Sequence, residues 1–243
     1  IVIPIYNEVG LIDDLVKRHG DRVRFVYRNF PLDSSCNPAL TLPMHEHACS
    51  PAMLARCAEF ATDGLRFETG DIAAFTADRA YDLVFSNAAL HWVPEPEAVL
   101  ARLTAALAAG GQLAVQVPAN GDHPSHTIAA EVAAEEPFRM ALAGHVHRAF
   151  VLAPEAYAVL LHDLGYEAQH VRLQVYVHLL LSREDVVEWV KGTLLTDVAT
   201  RLPPALYERF LARYQERLLP VLADTRPHVY PFKRILLWGR RPT

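Results

Sequence analysis

Hydrophobic positions along this chain switch between two spacings, and each switch marks an element. Leu113, Val115 and Val117 lie two apart, as in a strand with one face buried. Tyr81-Asp-Leu-Val-Phe-Ser86 is a short apolar run of the kind that forms a buried strand. Between them Val99, Leu100, Leu103 and Leu107 share one helical face, with Pro94, Glu95 and Glu97 as its start and Gly110-Gly111 as its predicted stop. Further on, the pattern predicts a helix over Pro154 to Leu164, ended by Gly165, and a strand over Gln169 to Leu179. Ser182 is expected to cap a helix over Glu184 to Lys191. Pro203 and Pro204 open a helix with Leu206, Phe210, Tyr214 and Leu218 on one stripe, and Lys233 to Gly239 reads as a terminal strand.

The first part of the chain is less regular. Ile1 to Ile5 is β-branched, but Pro4 limits it to a first or edge strand. Leu11 to His19 has helical spacing and Val23 to Tyr27 reads as a strand, followed over 29–47 by an aperiodic stretch punctuated by Pro31, Pro38 and Pro43. That is long for a loop within a compact domain. Ser50 and Pro51 open a helix to about Phe60, and Leu65 to Phe67 is a strand closed by Gly70-Asp71. Alternating strands and helices followed by helices and two late strands predict an α/β fold. Its parallel sheet has crossover helices, and the late strands close an edge antiparallel.

At 243 residues with 51% hydrophobic and 21% charged, the chain buries a full core. No run approaches the ~20 apolar residues that cross a bilayer, and no secretion leader is visible. A net charge of -5 makes nucleic acid a poor partner. Three cysteines fit a reducing, cytoplasmic compartment. The chain begins at Ile1 rather than methionine, as expected of a fragment or of a processed or spliced chain. Cys36, His45, His47 and Cys49 have the count for zinc but match no common zinc spacing, so no metal is expected. Cys49 and Cys57 sit over two helical turns apart, ~12 Å of rise, too far for a redox pair.

In a parallel sheet, ligands bind outside the carboxyl ends of the strands. Three such ends carry polar groups: Gly70-Asp71, Ser86-Asn87 and Gln116 to Asn120. Asp71-Ile72, then Tyr81 to Val93 with its Ser86-Asn-Ala-Ala-Leu-His-Trp92, then Gly110 to Asn120, resemble the S-adenosylmethionine-dependent methyltransferases. The likeness continues through His123-Pro-Ser-His126, Ser182 to Thr193 and Tyr230 to Trp238, and is closest to those that methylate a carboxylate of a small polyacid such as trans-aconitate. The resemblance implies a Rossmann-like sheet over about 50–243, with a helical cap at about 125–222. It also implies S-adenosylmethionine as co-substrate, with Asp71 at the adenine amine, Ile72 at its ring, and Asn87 with Ala88 at the methyl-donor side.

For such an acceptor the candidate wall, donor and cation residues are His123, Trp189, Lys191, Tyr230, Lys233 and Arg234. Strand alternation puts Lys233 and Arg234 on opposite faces, so at most one of them points inward. The sequence departs from the family at its start. No Gly-x-Gly turn precedes residue 70, and the place of the ribose-holding acid is taken by Ala48, with Glu46 the nearby carboxylate. The sheet is therefore expected to be incomplete at its N-terminal side. Residues 1–49 read as an atypical segment. Val23 to Asp33, Cys36-Asn-Pro and His45 to Cys49 resemble thioredoxin-fold oxidoreductases, and Ile1 to Glu8 the first strand of family-2 glycosyltransferases. Two rival readings follow: a non-catalytic remnant that has lost its cofactor, and, more weakly, a thiol–disulfide oxidoreductase.

Overall fold

Strand β1 (Tyr81–Asn87) runs parallel to β2 (Leu107–Pro118), while β4 (His228–Arg240) lies antiparallel between β2 and β3 (Ala168–Leu180). The resulting order, β1-β2-β4-β3, is the parallel sheet with an antiparallel edge that the alternation predicts. The computed structural model describes residues 71–77, 79, 81–146 and 149–243. The elements expected over 1–70, the thioredoxin-like and glycosyltransferase-like stretches and all three cysteines lie outside the described residues.

Helix α1 (Pro96–Ala105) crosses from β1 to β2, burying Val99, Leu100 and Leu103 against the sheet. It begins two residues after Pro94, behind a left-handed Glu95 (φ 55°), and it stops before Gly110-Gly111. Leu107, expected on the helix, is the first residue of β2 and fully buried. The two glycines serve a bulge: the register with β1 slips between Tyr81↔Leu107 and Leu83↔Gln112. Gly110 is left-handed (φ 68°), and a Cβ on Gly111 would stand 2.9 Å from the Ala108 carbonyl oxygen and 3.0 Å from that of Tyr81.

The cap comprises α2 (Pro124–Ala133), α3 (Phe138–Ala141), α5 (Asp185–Lys191), α6 (Thr196–Arg201) and α7 (Pro204–Leu218). Helix α4 (Pro154–Asp163) packs on the sheet instead. The cap has its own core, in which Ile128, Val132, Val187, Val190, Phe210, Tyr214 and Leu218 meet Tyr230 from β4. A second core joins α1, α4 and the sheet through Leu113, Val115, Val117, Ile235 and Leu237. Arg213 and Arg217 on α7 both hold Glu135 at the end of α2 (2.8 and 2.9 Å), and the Arg213 guanidinium is the main cause of that carboxyl's depressed pKa. Ser182 does not cap α5. Glu184 is already helical, and the Asp185 carboxylate reaches back to accept the Ser182 N–H at 2.9 Å.

Where β4 passes the turn after α4, Gly239 lies under the Tyr166 ring. A Cβ there would come within 2.7 Å of Tyr166 Cδ1. Tyr166 is buried and hydrogen-bonded to Thr104 Oγ1 on α1 at 2.9 Å, so its ring cannot swing away without breaking that bond. Gly239→Ala is expected to cost about 1–3 kcal/mol through overpacking, read as a lowered urea midpoint at unchanged slope. An unchanged midpoint would show that Tyr166 repacks freely.

Candidate functional site

At the carboxyl end of β1, Asn87 is buried beside its register partner Gln116 on β2. Ala88 follows in the left-handed region (φ 51°) and donates its N–H to the Gln116 carbonyl at 2.9 Å. A non-glycine residue held there costs about 1–3 kcal/mol, a strain that collects at ligand-binding turns. Asp71 is exposed and forms a turn, its Oδ1 accepting the Ala73 N–H at 2.9 Å, and Ile72 packs half-buried on the sheet core. Asn87 and Ala88 thus sit at a strand end, where the resemblance would put the methyl-donor side of S-adenosylmethionine, and Asp71 and Ile72 are the residues it would put at the adenine. The expected ribose side lies outside the described residues.

The second half of the site lies on the sheet face opposite α1, where β3 and β4 project alternate residues. Register pairs His178 with Tyr230, Tyr176 with Phe232 and Gln174 with Arg234. Trp189 on α5 closes over them, with its ring centre 4.8 Å from His178, 5.8 Å from Tyr230 and 6.0 Å from Phe232. His123 meets Tyr230 edge-on at 5.0 Å. The Arg234 guanidinium lies over the Tyr176 and Phe232 rings, 5.3 and 5.4 Å from their centres. Gln116 Oε1 accepts from its Nη1 at 3.1 Å. Arg234 Nε and Gln116 Nε2 are buried without a hydrogen-bond partner.

Electrostatics separates the expected cations. Lys233 Nζ is bound by Asp122, and that hydrogen bond is the chief cause of the lowered Asp122 pKa. Its side chain leaves on the face opposite Arg234, as alternation requires. Lys191 pairs with Glu188 (2.9 Å) and lies two helical positions, ~200° around α5, from Trp189. Neither lysine joins the aromatic cluster. Arg234 does, and no carboxylate among the described residues pairs with it. The structure therefore groups His123, Trp189, Tyr230 and Arg234, and leaves Lys191 and Lys233 outside as members of surface ion pairs.

His123 has a second duty. Its Nδ1 caps α2 by accepting the Ser125 N–H at 3.1 Å, with Ser125 Oγ at 2.8 Å. Ser125 is fully buried and also lies against His126 Nδ1 (3.0 Å), Tyr230 (3.5 Å) and, through its carbonyl, Tyr214 (2.8 Å). Burial holds the His123 and His178 pKa values below the usual 6.5 and raises those of Tyr214 and Tyr230, so the cluster is neutral apart from Arg234 near pH 7. Tyr176, His178, Phe232 and Gln116 also join this cluster and are not among the acceptor candidates that the sequence offers. Gln116 stood at a polar strand end, but β3 residues are recognisable only once their register with β4 is known. Among the described residues no group of three or more His, Cys, Asp or Glu is placed to hold a metal ion.

This sheet with its strand-end cradle defines a Rossmann-like methyltransferase fold. Solved structures that share it at low identity include the YcgJ protein of Bacillus subtilis, with TM-score 0.52 and 11% identity over 90% of this chain and 83% of that one. Another is the phosphoethanolamine N-methyltransferase 2 of Haemonchus contortus, solved with phosphomonomethylethanolamine and S-adenosylhomocysteine, with TM-score 0.52 and 11% identity over 100% of this chain and 48% of that one. A methyltransferase-domain family model matches residues 45–115. The trans-aconitate 2-methyltransferase of Deinococcus radiodurans is 41% identical over 199 residues, covering 79% of this chain and 75% of that protein. That of Streptomyces avermitilis is 42% identical over 193 residues, covering 76% and 71%. The chain belongs to the trans-aconitate 2-methyltransferase family.

The capping role of His123 has a pH signature. The folded state disfavours its protonation relative to the unfolded chain, so the unfolded state binds the extra proton, and stability falls as pH drops through 6.5 toward the lower folded value. His123→Asn keeps an acceptor for the Ser125 N–H and removes the titration. Denaturation midpoints should therefore decline less between pH 7 and 5 for the variant than for the parent. Parallel declines would mean that His123 titrates as in the unfolded chain.

Proposed function

We propose that this chain transfers a methyl group from S-adenosylmethionine to a carboxylate of a small polyacid such as trans-aconitate. The carrying observation is its 41% identity to a trans-aconitate 2-methyltransferase over most of both chains. When bound, S-adenosylmethionine supplies an electrophilic sulfonium methyl. Asn87 and the left-handed Ala88 would hold the methyl-donor side, with Asp71 and Ile72 at the adenine. The acceptor carboxylate is anionic at neutral pH, so the protein needs no general base. Its task is to orient one oxygen toward the methyl and to exclude water.

The aromatic wall of Trp189, Tyr230 and Phe232 serves exclusion. His123 stands at its edge as a neutral donor or spacer. Arg234 serves orientation, because a guanidinium forks a carboxylate with two parallel N–H donors. Lys191 and Lys233 act at most through the long-range field, since each is already paired with an acid.

One observation favours a second reading, a remnant that no longer binds the cofactor: no Gly-x-Gly turn precedes residue 70, and Ala48 occupies the place of the ribose-holding acid. Calorimetry separates the two. On the enzyme reading S-adenosylmethionine binds with a micromolar dissociation constant, and trans-aconitate triggers S-adenosylhomocysteine release. Asp71→Asn keeps the turn acceptor but not the charge, and should weaken cofactor binding about tenfold at unchanged KM for the acceptor. Absence of heat up to millimolar cofactor would leave the remnant reading standing.

A further inference from the structure

We propose that Gln116 is a positioning residue of the acceptor site, orienting Arg234 through its side chain while its main chain tethers the cofactor-side turn. The inference rests on the reading of Arg234 as the carboxylate fork. Gln116 is 6% exposed and faces the same side of the sheet as Asn87 and Arg234. Its carbonyl accepts the Ala88 N–H at 2.9 Å, and its Oε1 accepts Arg234 Nη1 at 3.1 Å. One residue thus contacts both half-sites.

The orientation of the amide is dictated by chemistry. A guanidinium carries donors only, so the glutamine must present its oxygen to Arg234 and turn its NH2 away. That NH2 is buried without a partner, a cost that the residue bears in order to hold this orientation. The contacts of Arg234 with the Tyr176 and Phe232 rings place its guanidinium over them, but a cation–π contact is weakly directional and leaves the group able to turn. The bond to Gln116 fixes that rotation, occupying one Nη1 donor and leaving the rest of the fork for an anion. Main-chain pairing of β2 with both β1 and β4 keeps Gln116 itself from shifting. The distance between the cradle turn and the fork is therefore set by a single residue of the central parallel strand.

The test is a double-mutant cycle of Gln116→Met and Arg234→Met on the full chain, read by the Kd of trans-aconitate alone in calorimetry and by KM, kcat and the S-adenosylmethionine Kd. Gln116→Met should raise the Kd and KM of trans-aconitate about tenfold and leave the cofactor Kd within about twofold. In the Arg234→Met background it should have no further effect. Multiplying effects, an unchanged acceptor affinity, or a fall in kcat with KM unchanged would overturn the inference.

Should Gln116→Met not fold, Gln116→Glu retains the acceptor oxygen and neutralises the fork. It must then weaken trans-aconitate at least as much, and unaltered binding would count against the proposal. Failure of the parent chain to bind trans-aconitate up to about 10 mM would also overturn it. Trans-aconitate heat without S-adenosylmethionine heat would instead sink only the methyl-transfer reading.

Discussion

The arrangement depends on β4 being hydrogen-bonded along both edges, to β2 on one side and β3 on the other. Its thirteen residues carry buried side chains of both apolar cores: Tyr230 belongs to the cap, Ile235 and Leu237 to the sheet. Between those two commitments lie Phe232, Lys233 and Arg234, the stretch that reaches the site. A strand anchored at both ends and on both edges has no latitude to slide, since a slip of one residue would put Lys233 on the aromatic face and bury Arg234 against α1. Which cation meets the aromatic cluster is thus a matter of register.

Charge pairing reinforces that choice. Lys191 and Lys233 have acidic partners within their own surroundings, and each ion pair lies at the surface, where such pairs contribute little to stability. Arg234 is half-buried among rings, with a neutral amide in place of a carboxylate. A cation desolvated without a counter-ion is unfavourable for folding and favourable for receiving an anion. Burial disfavours the imidazolium forms of His123 and His178, which would repel the guanidinium, and the phenolate forms of Tyr214 and Tyr230, which would attract it.

Much of this was legible in the residues. The period-two run Leu113, Val115, Val117, the helical face of Val99, Leu100 and Leu103, and the two late strands all appear where the spacing puts them. What misled was local punctuation with two meanings. Gly110-Gly111 reads as a helix stop but relieves a bulge, and Ser182 reads as a cap but is itself capped by Asp185. For an acceptor the sequence suggested His123, Trp189, Lys191, Tyr230, Lys233 and Arg234 together; the structure gathers four of them in one cluster and leaves the two lysines outside it, with Lys233 and Arg234 on opposite faces as alternation requires. The contribution of Tyr176 and His178 was hidden because cross-strand register is a tertiary property, and that of Gln116 because a polar strand end does not announce its partner.

The strand order has a kinetic side. Pairing Pro118 with Arg234 closes a loop of roughly 115 residues, and the whole helical cap lies within it. Contacts so distant along the chain carry a loop-closure cost that slows folding, and the β2–β4 pairing is expected to follow the local helices. Until then the edges of β2 and β3 are both unsatisfied, and the chain is most exposed to mispairing with neighbours. The cap is in this sense a topological passenger of the sheet: its sequence can drift only within the limits that still deliver β4 to the gap.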